Sequence, residues 1–215
     1  MASVRTNKNP DNGAVQKVAP TRGRPRTFCT EKALDAAMKV FWEKGYEGTT
    51  LPDLERAMGI NRPSLYAAFG NKETLFRKVV ERYGEGPACF MREAVELPTA
   101  RQVVERTLSA TIDLVTNPKN PGGCLAVQGA LACGDEAAAA REQLAAVRAA
   151  GEEMLRRRFE RAKSDRDLPR GTTPADLARY VVTVMHGISV EAAGGASRQQ
   201  LQRVADLALR AWSEK

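Results

Sequence analysis

TLPDLERAMGINRPSLYAAFGNKETLF, residues Thr50–Phe76, reads as two short helices on either side of a tight turn, followed by the start of a third. Thr50 is placed to cap the first helix, with Asp53 three residues on as its reciprocal partner and Pro52 tolerated in the first turn. Leu51, Leu54 and Met58 recur at helical spacing on one face. Gly59 supplies the backbone freedom a sharp turn needs, and Ile60 plugs the angle. Asn61 caps the second helix, in which Leu65 and Phe69 lie one turn apart on the buried side. Gly70 closes that helix and Asn71 caps the next.

What the second helix leaves outside carries the chemistry. Asn61, Arg62, Pro63, Ser64, Tyr66 and Ala67 lie at its N-terminus or on its outer side, where the helix dipole and free N–H groups favour an anion. An arginine there reaches a guanine edge or a phosphate, and the Ser64 and Tyr66 hydroxyls suit phosphates. A short helix held against its predecessor by a glycine turn is the geometry that presents side chains to the DNA major groove. An ordinary helical hairpin has the same outline, so the accompanying residues have to decide.

Those residues do so by resemblance. Thr49-Thr50, their spacing to Gly59-Ile60, and SLYAAFGNKETLF (Ser64–Phe76) resemble the N-terminal DNA-binding domain of the TetR family of transcriptional regulators, over about Thr27 to Tyr83. The string from Leu65-Tyr66 through Phe69 to Lys72-Glu73 and Leu75 is its most specific part. The resemblance implies phosphate contacts from Thr49 or Thr50, Tyr66 and Lys72, and base contacts from Arg62, Pro63 and Ser64. Pro63 departs from the small or flexible residue usual there and cannot donate a backbone hydrogen bond.

Composition is consistent with this. The 215 residues are 43% hydrophobic and 6% aromatic, with no alternation of β-branched residues, so the expected fold class is all-α. Of the formal charge of +7, residues 1–82 hold +6 (15 Lys/Arg against 9 Asp/Glu) and residues 83–215 only +1. The positive field therefore sits on the DNA-binding end. Cys29, Cys89, Cys124 and Cys133 form no CxxC pair and accompany a single histidine, His186, so neither a metal site nor a cofactor is expected. The polar N-terminus lacks an apolar signal region and no run approaches a membrane span, which makes the expected location cytoplasmic, with reduced thiols.

Three regions follow. Residues 1–26 read as a disordered basic arm ending in Arg22, Arg24 and Arg26, which suits a narrow minor groove and equally a solubilising tail. Residues 27–83 form the helix-turn-helix domain, whose first helix, about Glu31–Lys44, is capped by Thr30 and ended by Gly45. Residues 84–215 form a helical effector-binding and dimerisation domain. Its opening Gly84-Glu85-Gly86-Pro87 fits a hinge and a loop equally well. Helices are expected from Leu97–Thr99 to Thr116, over Cys124–Cys133, and over about Glu136–Lys163 with Leu144, Val147, Leu155 and Phe159 buried. The last two start at Thr173-Pro174 and Ser197.

Those terminal helices are apolar over more than one stripe. Leu177, Val181, Val184 and Ile188 share a face, with Ala178, Val182, Met185 and Ala192 beside it, and Leu201, Val204, Leu209 and Trp212 spread around the last helix. Burial against a second copy, as a four-helix interface with two-fold symmetry, is the favoured outcome over burial within one chain. Two readers so related meet successive major grooves about 34–36 Å apart, so the target is a pseudo-palindrome.

The resemblance also implies a small-molecule pocket in the second domain. Its candidate lining is Phe90, Met91, Ile112, Leu125, Gln128, Met154, Phe159, Met185 and His186, stripes that serve equally as plain core. Cys124 follows Gly122-Gly123 at an expected helix N-terminus, where the dipole lowers a thiol pKa and favours a thiolate sensor; a small buried hydrophobe is the plainer reading.

The function these readings favour is a ligand-responsive homodimeric DNA-binding regulator, a repressor released from its operator by a small molecule. Redox or electrophile sensing through Cys124, an architectural DNA-binding protein without a ligand, and a helical enzyme stand as alternatives. The enzyme is disfavoured by the absence of paired carboxylates, a Gly-x-Ser-x-Gly elbow or a phosphate loop.

Overall fold

The computed structural model of the protein describes residues 28–131 and 134–212, and these contain helices and no strand. In chain order the α-helices are α1 (Thr30–Gly48), α2 (Leu51–Met58), α3 (Arg62–Phe69), α4 (Lys72–Glu85), α5 (Phe90–Ala94), α6 (Ala100–Val115), α7 (Leu125–Gln128), α8 (Ala138–Ser164), α9 (Pro174–Ala193) and α10 (Arg198–Leu209). No helix among the described residues is long and apolar enough to cross a membrane.

The capping signals produce the ends they imply. Thr50 and Asp53 form a reciprocal capping box, Asn61 accepts from Ser64 N–H, Asn71 from Thr74 N–H, and Ser197 closes a box with Gln200. Thr30 is not the cap of α1: it is the first helical residue, and Cys29 before it is extended with no side-chain cap bond. Gly45 does stop the regular helix, with φ of 70°, and Tyr46–Gly48 continue past a kink. A glycine is required there because a Cβ would also come within 3.2 Å of the Gly129 carbonyl oxygen.

Two expectations fail in instructive ways. The helix expected over Cys124–Cys133 is a single turn, Leu125–Gln128, with Cys124 its extended cap. Past it the Gly129 carbonyl accepts the Tyr46 N–H at 2.7 Å, and the last part of the expected helix, Ala132 and Cys133, lies outside the described residues. Val147, expected buried in α8, is 38% exposed, because a cavity rather than a side chain lies over it.

Two apolar clusters hold the chain. One joins α1–α4 through Phe41, Leu54, Leu65, Phe76 and Val79, and it extends into Leu125, Ala130, Ala140 and Leu144, so α7 and the start of α8 pack with the N-terminal helices. Edge-on rings fix its centre: Phe41 on Phe76 at 5.0 Å and Trp42 on Tyr83 at 4.8 Å. Arg82 of α4 adds a bidentate clamp on Asp35 of α1, at 2.8 and 3.1 Å, and also reaches Glu31. The second cluster packs α6, α8, α9 and α10 around Leu108, Ile112, Leu155, Phe159 and Val181. Outside it, α9 leaves Tyr180 and Val190 exposed, and α10 leaves Val204 and Leu207.

Candidate nucleic-acid interface and effector cavity

Gly59, left-handed with φ of 67°, turns α2 into α3, and the buried Leu54, Leu65 and Phe69 lock the pair. That fixes what faces outward. Thr50, Asn61, Arg62, Pro63, Tyr66 and Ala67 are exposed, and Ser64 is half-buried. Arg62 donates its Nε to Glu55 of α2 at 3.0 Å while its side chain stays 51% exposed, so the guanidinium is held in place and still accessible. Asn61 spends its carbonyl oxygen on the Ser64 N–H, a capping task. Lys72 lies with its ammonium 4.5 Å from the centre of the Tyr46 ring.

Thr49 leaves the set. It is 1% exposed and its hydroxyl donates to the Gly45 carbonyl at 2.6 Å, so of the Thr49–Thr50 pair only Thr50 stands at the surface. Its hydroxyl bonds Asp53, whose carboxyl is held well below the usual range first by the Lys44 contact and then by Thr50. Glu55 and Lys44, which orient this face, were not legible in the sequence, because each acts across a turn whose angle only packing sets. Arg22, Arg24 and Arg26 lie outside the described residues.

In the C-terminal half, α4, α5, α6, α7, α8 and α9 enclose a cavity of about 280 Å³. Five of the nine predicted lining residues meet there, Phe90, Met91, Met154, Met185 and His186, together with the candidate Cys124. Four do not. Ile112, Leu125 and Phe159 are fully buried in the two cores, and Gln128 turns its oxygen back onto the Cys124 N–H at 3.0 Å. Tyr83, Thr111, Val147, Arg148 and Ser189 line the wall unanticipated. Most polar groups are already paired: Thr111 to Thr107 O, Ser189 to Met185 O, and Arg148 to Ala126 O at 2.7 Å. Burial, aided by Arg148, pushes the His186 pKa down, which favours the neutral ring.

Cys124 follows the plainer of its two readings, a buried side chain rather than a thiolate. Its Sγ lies 3.1 Å from the Tyr83 hydroxyl, and burial raises the thiol pKa, outweighing the Tyr83 and backbone hydrogen bonds that lower it. A one-turn helix offers little dipole to oppose that desolvation. At pH 7, Cys124 is expected to alkylate with iodoacetamide at least about tenfold more slowly than the exposed Cys29, consistent with a smaller thiolate fraction. Peptide mass spectrometry over a time course measures this; equal rates would restore a reactive thiolate.

A three-helix reader with an outward Arg62–Tyr66 face, carried on a helical body with an apolar cavity, defines a helix-turn-helix DNA-binding regulator. Residues 33–79 match the family model of bacterial regulatory proteins, tetR family, and residues 100–208 match the tetracyclin repressor-like C-terminal domain. The HTH-type transcriptional repressor ComR of Escherichia coli (strain K12) is 33% identical over 205 residues, covering 94% of this chain and 97% of the relative. The HTH-type transcriptional repressor BdcR of the same organism is 29% identical over 198 residues, 90% of this chain and 94% of the relative. Among solved structures, a cysteine mutant of the TetR family regulator CifR, complexed with 26-base-pair operator DNA, superposes with a TM-score of 0.84 at 41% identity, covering 88% of this chain and all of that one. The chain belongs to the TetR family and is a transcriptional regulator.

Proposed function

We propose that this regulator is a homodimeric repressor that binds a pseudo-palindromic operator through α3 and is released by a small apolar molecule entering the cavity. The division is a basic arm over 1–26, a reader over 27–83, and an effector-binding and dimerisation body over 84–215. The DNA contacts fall on Thr50, Asn61, Arg62, Pro63, Ser64, Tyr66 and Lys72, with Arg22, Arg24 and Arg26 of the arm. Its work is done on DNA in the cytoplasm, and it is not an enzyme.

One observation carries the coupling. The segment Gly123–Gly129 is at once a cavity wall, through Cys124, Ala126 and Val127, and the seat of α1. Trp42 Nε1 donates to the Gly123 carbonyl at 3.1 Å, and Tyr46 N–H to the Gly129 carbonyl at 2.7 Å. A ligand that presses on that wall shifts the reader, and the shift is limited by its preference for the released state. Thiol sensing is not the reading this site favours, since Cys124 is desolvated and bonded to Tyr83.

Titrating the protein onto DNA flanking its own coding region, at several salt concentrations, tests the operator half. Saturable binding that falls steeply with salt is expected, and binding no tighter than to random DNA refutes it. Val147→Trp tests the cavity half. The exposed Val147 lets an indole fill the space, so the variant is expected to keep operator affinity within about twofold while losing thermal stabilisation by any fragment that stabilises the wild type. Fragments acting equally on both would place the effector elsewhere.

A further inference from the structure

The wall of the apolar cavity holds two arginines, Arg92 and Arg148, and no aspartate or glutamate. Both are tied to backbone carbonyls: Arg92 Nη2 donates to the Gly84 oxygen and Arg148 Nη1 to the Ala126 oxygen, each at 2.7 Å. Neither forms an ion pair with another described residue. Glu152 stands one turn from Arg148 along α8, a spacing that suits a pair, yet it accepts from Arg179 Nε of α9 at 2.7 Å. Arg92 is exposed; Arg148 is half-buried, and its charge reaches the cavity's other polar groups. After burial it is the next cause that lowers the His186 pKa, against an opposing Glu152, and at Cys124 it counters the rise that burial produces.

Tying α7 to α8 uses one of the five N–H donors of Arg148 and none of its charge. The edge formed by Nε and Nη2 is the fork that takes a carboxylate through two parallel hydrogen bonds. A guanidinium beside an apolar wall, with only neutral acceptors for company, favours an occupant that supplies the negative charge. The rest of the wall sets the occupant's body. Phe90, Met91, Leu114, Met154 and Met185 are apolar, and the three methionines adapt to its shape. A volume of about 280 Å³ is near the lower end for small-molecule sites, roughly 300–1,000 Å³, so that body is short.

We propose that the cavity takes a small monocarboxylate, an apolar body whose one carboxylate is held by Arg148. The cavity's role as effector site is taken from the repressor reading; the carboxylate narrows the class of effector. Ala126, the residue Arg148 holds, lies in the Gly123–Gly129 segment that seats α1, so the head group lands beside the element through which the reader is moved.

Calorimetry on the full chain, without DNA, tests this with octanoate and 3-phenylpropionate as aliphatic and aromatic acids and 1-octanol as the neutral counterpart. Saturable binding of at least one acid is expected, with octanoate at least about tenfold tighter than 1-octanol, the scale of a charge-assisted hydrogen bond. Arg148→Met is expected to weaken acid binding about tenfold or more while leaving 1-octanol within about twofold; a merely structural arginine would move both probes alike. Arg148→Lys keeps the charge without the fork, so its acid affinity falls between the two, and it takes the place of Arg148→Met if that variant does not fold. Val147→Trp is expected to abolish acid binding, which locates the acid in this cavity. No saturable binding of either acid at millimolar concentration, equal affinities for octanoate and 1-octanol, or acid binding unmoved by the Arg148 changes overturns the assignment. Adding the probes to the operator complex reads the other half. An acid that binds through Arg148 and leaves DNA bound refutes release while the carboxylate site stands, whereas 1-octanol binding more tightly than the acids and freeing the operator refutes the carboxylate and leaves the repressor reading intact.

Discussion

Replacing Arg62 with alanine is expected to weaken operator binding roughly 10- to 100-fold while leaving binding to random DNA within about threefold, because one bidentate arginine–guanine contact carries about 1–3 kcal/mol of discrimination. The expectation rests on position. Arg62 opens α3, its side chain is half exposed, and Glu55 holds its Nε at 3.0 Å. Rotamer entropy that a free arginine would lose on docking is already lost in the free protein. Glu55→Gln should therefore act differently from Arg62→Ala. It removes a negative charge from a phosphate-facing surface, so affinity for random DNA rises, while the loosened guanidinium lowers the ratio of operator to random binding several-fold. Tyr66→Phe gives a third signature, a uniform loss on all DNA, as befits a phosphate contact. Anisotropy titrations on operator and scrambled duplexes separate the three, and a uniform loss from Arg62→Ala would move it from base reading to phosphate binding.

How far a contact reaches along the chain decides whether the sequence displays it. Contacts closing within one helical turn were legible: Thr50 with Asp53, Asn61 with Ser64, Thr173 with Asp176 and Ser197 with Gln200 all occur as their i to i+3 spacing implies. Contacts set by tertiary approach were not. Trp42 meets Gly123 across 81 residues and Tyr83 meets Cys124 across 41, and nothing in either local pattern announces it. The helix-end argument for Cys124 had no measure of burial, and desolvation outweighs every contact that favours the thiolate, as the plainer reading of a small buried hydrophobe implies. Thr49 failed for a related reason: a hydroxyl four residues after Gly45 bonded back to that carbonyl, satisfying itself inside the fold. Among cavity residues, helical stripes gave the right helices but could not say which members face the void. Met91, Met154 and Met185 do, while Phe159 and Ile112 fill the core beside it.

Val204→Glu together with Leu207→Glu is expected to yield a monomer at micromolar concentration and to lower operator affinity by a factor of about 100 or more, the scale of avidity lost when two linked contacts become one. These side chains are 44% and 57% exposed in the single chain, three residues apart on one face of α10, while Leu201, Ala205 and Ala208 on the adjoining face are buried. Tyr180 and Val190 are also exposed on α9, and α9 and α10 pack directly on one another. Four carboxylates, two from each copy, would face one another across a two-fold axis, a cost no rearrangement of the inner face relieves. Because the mutated positions already meet solvent in the monomer, the fold is expected to survive with its helical circular dichroism intact. Loss of affinity would then report separation of the two readers rather than unfolding. Sedimentation velocity gives the oligomeric state, and anisotropy on a full operator against a half-site gives the coupling. A monomer that still binds the full operator as tightly as the wild type would detach DNA recognition from symmetry, and a variant that remains dimeric would place the interface on another face.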